Sequence, residues 1–578
     1  MSSRSDALYL SATLDVEEFL GIPLQGDIRI PPEASPKQFA AYTLLHSLLK
    51  KWNDRSVRAD QVALVKFLTA NERCKNWCLD FGNLRDELLF NEVRQVLYEF
   101  FHPDGQMLFD SFEDILERAY TGPGSSIGSV GHFSYYAKMF NSNISSTSIN
   151  LYMMYRSYIS KRPNLLEAEL KRCEDFGLCC IASGSRISFA PKTVRESRLI
   201  CTEPLLNSYF QLGLGVLLTE RLKSFFGIDL SSQPKVNQQL AQVGSTTGRF
   251  STIDLSSASD CISLSLCSKL LPSWVFDTLM EIRSPSTLVG GDAVRLEMMS
   301  TMGNGFTFPL QTVIFSALIF AVYRSKGILP VRCDRPLDTN FGCFGDDLIV
   351  RDDTFHSVIG LLELLGFIPN TEKTFNDGPF RESCGADWHS GHSVRGVYIK
   401  RLDSPQDICV AINLLNDWTA RTGIPLTRAV SYLMGLAPQG GFPMVPFHEN
   451  NDAGVRVPSL LTPLVRRDLN HSIIYRRFQV VPIKIRVLEG SVHAPRGMKV
   501  LKYNPLGLYF AFLYGEIRGS SKGPFGFIGI RQLGTSRYKP KRACTPYWDY
   551  MPRGSRSCGS LLSWVRWETA LLVNTSTP

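Results

Sequence analysis

Through the first ~120 residues, apolar positions recur every three to four residues, as in 39–52 and 92–101, and this spacing predicts helices. The same spacing runs through 205–222, 310–323 and 407–418. At 462–469 it is joined by Thr462 as a cap and Pro463 at the first helical position. Residues 250–255 and the flanks of 341–351 read instead as short strands, apolar runs broken by Gly and Asp. Strand-like and helix-like patterns alternate from about 251 to 400, and prolines and glycines punctuate the remainder. The expected class is therefore α+β. With 578 residues, two or three lobes are expected, because single cores stop growing at ~250–300 residues.

Composition narrows this only a little. A hydrophobic share of 44% with 20% charged residues suits a globular enzyme. The N-terminus shows no basic region followed by an apolar one. The most apolar run, 313–323, falls short of the ~20 residues that span a bilayer. A cytoplasmic protein without a membrane partner is expected. The 14 cysteines then read as buried thiols rather than a disulfide framework. Cys74 and Cys78 have metal-ligand spacing but no second pair. Cys384, His389 and His392 form a zinc candidate lacking a fourth ligand, against the plainer reading of a polar loop with one core cysteine. The glycine-rich stretch 122–128 (GPGSSIG) reads as a connecting loop.

Charge is more informative by position than by total. The net charge is +8, yet residues 484–556 alone hold 14 Lys and Arg against three acids (Glu489, Glu516 and Asp549). Aromatic residues lie among them: Tyr503, Tyr509, Phe510, Phe525, Tyr538, Tyr547 and Trp548. Such a mixture suits a nucleic-acid backbone and unstacked bases, and suits a solvated basic surface equally well.

The chemistry concentrates upstream. In FGCFGDDLIVR (341–351), Gly345-Asp346-Asp347 places two carboxylates at the tip of an apolar hairpin. Adjacent negative charges there are unfavourable without a cation nearby. In FSTIDLSSASD (250–260), Asp254 ends a short strand and Asp260 follows in a turn of small residues. If the strands are neighbours, three carboxylates converge at one sheet edge. Hard oxygen donors of this kind suit one or two Mg²⁺ or Mn²⁺ ions, which serve in-line phosphoryl displacement. The loop STMGNGFT (300–307) lets backbone approach a ligand closely and runs into an apolar helix.

These segments, followed by NTEKTFNDGPFRESCG (370–385), occur in the order of the motifs of positive-strand viral RNA polymerases. The arrangement resembles the replicase catalytic subunit of single-stranded RNA phages, the levivirus or Q-beta type, most clearly over residues 187–400. The resemblance implies a right hand with an antiparallel palm sheet flanked by helices: fingers in 1–250, palm in 251–400, thumb and basic region in 401–578. It implies that Asp254, Asp346 and Asp347 hold two Mg²⁺ ions (or Mn²⁺), with the carbonyl of Leu255 as a further ligand. Asp260, Ser300, Gly303 and Asn304 would lie near the incoming ribose. Lys192, Arg195 and Arg198 would neutralise the triphosphate, and Lys373 would protonate departing pyrophosphate. It further implies an RNA template and product, ribonucleoside triphosphates, and host elongation factors Tu and Ts with a ribosomal protein as partners in a bacterial host cell.

The expected activity is RNA-directed RNA synthesis by nucleotidyl transfer. Reverse transcription shares the palm logic, but Ser259 and Asp260 stand where an aromatic gate against ribose would be expected. A non-catalytic RNA-binding protein would account for the basic region but not for three converging acids.

Overall fold

The computed structural model describes residues 3–24, 28–53, 57–129, 134–335, 338–461, 466–467, 472–488, 500–518 and 529–549. It is α+β. The helix expected at 39–52 occupies Pro36–Leu48, started earlier by a capping box in which Ser35 and Gln38 bond reciprocally. The 92–101 pattern belongs to Leu84–Phe101, whose Asn83 cap accepts from the Asp86 amide at 3.1 Å. The stretch 205–222 is helical as Leu205–Phe225, and 407–418 lies within Pro405–Thr422. The helix expected at 462–469 is not formed at Arg466–Arg467, which pairs antiparallel with Ile473–Ile474; the rest of that stretch lies outside the described residues. There a tertiary strand partner prevails over local helical spacing.

The apolar run 313–323 is the centre of helix Thr307–Ser325, which is long and apolar enough to cross a membrane by length and composition. Its surroundings are protein. Sixteen of its 19 residues are buried, against Leu84–Phe101, Leu205–Phe225 and Phe355–Leu364. A helix apolar on every side needs such complete coverage. It is the axis of the larger of two main apolar clusters, which extends from Leu89 to Ala511.

The second cluster joins chain ends. Leu8, Ala12 and Val16 of helix Ser3–Leu20 share a core with Val430 and Leu433 of helix Thr427–Gly435 and with Tyr475 and Trp548. Buried Asp15 fixes that contact by accepting from the amides of Arg428 and Ala429, each at 3.0 Å, at the start of the second helix. These amides have no partner within their helix, and a carboxylate suits that end of the dipole. The segments 1–250, 251–400 and 401–578 each contribute to both clusters.

Several small sheets surround these cores. Phe250–Ile253, Asp347–Arg351 and Gly342–Phe344 form one, in that spatial order. The hairpin Ser185–Pro191 and Ser197–Thr202 continues into Ser286–Val289 and Asp292–Arg295. Strands Ile473–Leu488 and Gly529–Thr545 form a long antiparallel ribbon. All described cysteines are free thiols, and Cys74, Cys201, Cys261 and Cys343 are among the buried ones, while Cys78, Cys180 and Cys544 are exposed. The zinc candidate is not assembled: among the described residues no three His, Cys, Asp or Glu side chains are gathered to hold a metal. His389 instead packs its ring 4.9 Å from that of Phe39.

Candidate active site

Strand register brings the acidic residues to one sheet end. Phe250–Ile253 runs antiparallel to Asp347–Arg351 with Ile253 opposite Leu348. Asp254, just after Ile253, and Asp347, just before Leu348, therefore lie at the same edge. On the other side Phe344 pairs with Asp347, so Gly345 and Asp346 form a two-residue turn and Asp347 begins the strand. The turn depends on glycine twice. Gly345 has φ +62°, and a Cβ there would meet Phe308 Cε2 at 2.4 Å. Its amide donates to Thr312 Oγ1 at 3.1 Å, tying the turn to the buried helix. From behind, Asn237 donates to the Asp347 carbonyl at 3.1 Å, and Gln233 orients Asn237 at 3.0 Å.

The chain after Phe367 runs back along the first strand. The Phe375 amide donates to the Thr252 carbonyl and that of Asn370 to the Asp254 carbonyl, both at 2.8 Å. This return places the Asn370 amide group 2.7 Å from Asp254 Oδ2 and Lys373 Nζ 3.9 Å from the same oxygen. Lys373 also lies 3.6 Å from Glu382. Burial raises the carboxyl pKa values of Asp254 and Asp346. Burial and the neighbouring charges of Asp346, Asp254 and Glu382 push Asp347 up to about 7. Burial acts to lower the Lys373 pKa, but Glu382, Asp254 and Asp347 outweigh it and raise the value. The cluster thus carries more negative charge than one lysine balances. Its hard-oxygen donors fit a divalent cation in kind, although the described side chains are not closed into a metal set.

The basic residues divide. Lys192 and Arg195 lie in the exposed turn after Ser185–Pro191, and Arg198 lies opposite Ala190 on the returning strand. The charges of Lys192 and Arg198 reach Asp346, opposing the effect of its burial, and that of Lys192 also reaches Asp260.

Asp260 lies in the 3-10 turn Ala258–Cys261, where burial pushes its carboxyl up to about 6 and a bond from Ser259 opposes the shift. Ser300 is buried and donates to the Ser259 carbonyl at 3.2 Å, linking the glycine loop to that turn. Gly303 has φ +131°, and a Cβ there would fall 2.1 Å from the Cys201 carbonyl. Asn304 Oδ1 accepts from the Thr301 amide at 2.6 Å and the Thr301 hydroxyl at 2.9 Å. Leu255 is buried, and its backbone bridges to Pro369. Asn370, Glu382 and Asn237 were not singled out from sequence. Asn370 and Glu382 sit in the recognised 370–385 segment, so their position was legible, but their partners required the chain's return to be seen.

The RNA replicase, beta-chain family matches residues 4–440. The chain belongs to this family. It is 40% identical over 261 residues to the RNA-directed RNA polymerase subunit beta of Escherichia virus Qbeta, covering 44% of this chain and 42% of that one. With the subunit of Qbeta virus strain MX1 it shares 32% identity over 400 residues, 68% of this chain and 64% of the relative. With the RNA-directed RNA polymerase beta chain of Escherichia phage MS2 it shares 39% over 257 residues, 44% and 45% respectively. The chain thus matches less than two thirds of each relative's length. All the acidic and basic site residues lie within the family match, whereas the C-terminal ribbon lies beyond it.

Proposed function

We propose that this chain is an RNA-directed RNA polymerase that replicates a single-stranded RNA phage genome by nucleotidyl transfer from ribonucleoside triphosphates. The observation that carries the reading is the register that sets Asp254 beside the Gly345-Asp346 turn and Asp347, within a chain of the replicase β-chain family. Asp254, Asp346, Asp347 and the Leu255 carbonyl would hold two Mg²⁺ or Mn²⁺ ions. Such ions supply charge stabilisation at the attacking hydroxyl and departing pyrophosphate.

The protein's own work is placement and proton supply. Lys192 and Arg198 neutralise the triphosphate, with Arg195 at the outer turn. Asp260, Ser300, Gly303 and Asn304 meet the ribose, whose 2′-hydroxyl marks RNA. Lys373, kept protonated by Glu382 and Asp254, donates the proton that pyrophosphate takes on leaving. We assign residues 1–250 to fingers, 251–400 to palm, and 401–578 to thumb with a basic surface facing RNA. The same reading places the protein in the bacterial host cytoplasm with elongation factors Tu and Ts and a ribosomal protein, a set that copurification with tagged chain would test.

The direct test is incorporation of labelled ribonucleotides on an RNA template with a C-rich 3′ end and Mg²⁺, with and without host extract. RNA product from wild type and none from Asp346→Asn supports the reading. Equal activity of the two, or a preference for deoxyribonucleotides, overturns it.

A further inference from the structure

The strand that carries Arg198 ends at Thr202, and the next residue, Glu203, is 3% exposed. Glu203 Oε2 accepts from Ser284 Oγ at 2.7 Å and from Gln211 Nε2 at 3.0 Å. Oε1 is fully buried and makes no hydrogen bond. Asn304 nevertheless acts on this carboxyl, drawing its pKa down against the burial that pushes it to about 7. The Arg283 charge acts in the same direction.

The surrounding groups hold the glycine loop at both ends. Arg283 donates to the carbonyls of Leu296 and Met298 at 2.8 and 3.0 Å. Gln211 Oε1 accepts from the Gly305 amide at 3.2 Å. The Cys201 amide donates to the Met302 carbonyl at 2.8 Å. Glu203 sits where these attachments meet. Asn304 Oδ1 is committed to Thr301, and the next residue, Gly305, is held by Gln211, so the Glu203–Gln211 bond bears on Asn304 through the backbone.

We propose that Glu203 is a positioning residue for ribose recognition: through Gln211, which bonds both Glu203 and the Gly305 amide, it couples the Arg198 strand to the 300–305 loop and so sets where Asn304 stands. This rests on the polymerase reading above. Glu203 does not touch substrate. Its effect is on where Asn304 points when a nucleotide arrives.

The test compares full-length Glu203→Gln, Asn304→Ala and the double variant. Single-nucleotide incorporation and equilibrium binding are measured with a matched ribonucleotide and its 2′-deoxy counterpart on a primed RNA template. Glu203→Gln should reduce ribose preference about tenfold, chiefly through KM for the ribonucleotide, because an aligned donor rather than the chemical step is lost. The double variant should be no worse than Asn304→Ala, since both act through one group. Unchanged preference in Glu203→Gln, or effects that multiply in the double variant, overturns the proposal. If Glu203→Gln loses its cooperative melt, Ser284→Ala carries the test: a smaller shift in the same direction supports the role, and no shift overturns it. Full activity in Asp346→Asn would instead refute the underlying polymerase reading, independently of these outcomes.

Discussion

At the carboxylate sheet, Asp346 and Asp347 follow one another around a glycine turn, with Asp254 at the same edge. In the C-terminal ribbon, Arg476 stands opposite Arg542 and Arg477 opposite Lys541. Both regions set like charges together, which cross-strand pairing ordinarily disfavours. They differ in what restrains the charges. The acids are recessed, raised in pKa, and held by Asn370, Lys373, Asn237 and the packing of Phe308 on Gly345. The ribbon leaves Arg476, Arg542, Lys541 and Lys539 exposed, while Arg477 is matched by Glu449 at 2.6 Å. Its two strands contain nine Lys and Arg and no acid. Pre-organised charge in a recess suits a reaction that needs fixed geometry. Exposed charge of one sign suits a polyanion whose counterions are released on binding.

Separating the two roles by mutation sharpens this contrast. The largest effect is expected at Asp346→Asn: incorporation should fall by roughly 10³-fold or more, about 4 kcal/mol, while RNA binding stays near wild type. Parallel loss of binding in a filter assay would break the division. Next, Gly345→Ala should destabilise the folded chain by roughly 2–3 kcal/mol, because it adds a left-handed non-glycine residue and a clash with Phe308. A thermal melt matching wild type would show that the turn is not under this constraint.

The ribbon should respond differently. Arg476→Gln with Arg542→Gln should weaken RNA binding about tenfold at low salt and reduce the slope of log affinity against log salt by about 1.5. An unchanged slope would remove the ribbon from RNA contact. The smallest effect concerns pH. The raised Asp347 pKa means that the folded protein keeps a proton there which the unfolded chain releases in the ordinary carboxylate range. In metal-free buffer this group therefore favours the fold below about pH 4, and that contribution is lost as pH rises toward about 7. Asp347→Asn should melt about 2–4 °C above wild type at pH 8, with the gap closing near pH 4. A gap independent of pH would contradict a raised Asp347.

Legibility followed the distance over which each feature is decided. The Gly345-Asp346 turn was readable because two-residue hairpins require a residue that tolerates positive φ, and apolar flanks mark the strands. The buried helix Thr307–Ser325 was readable over 310–323 but not at its ends, where polar Thr307, Arg324 and Ser325 fall outside the apolar run. The 466–467 pair was misread as helix because a strand partner several residues away decides its conformation.

The sequence by itself determined the chemical inventory: adjacent acids on a glycine turn, a glycine loop before an apolar helix, and positive charge gathered late in the chain. Each follows from local backbone preference or from composition, which neighbours cannot alter. The tertiary structure alone decided which groups meet. Asn370 reaches Asp254 across 116 residues, Asp15 caps a helix that begins at Thr427, and Glu203 comes to share a buried network with Gln211 and Ser284. Such contacts depend on packing and strand register, where the burial of whole elements outweighs any preference written at a single residue.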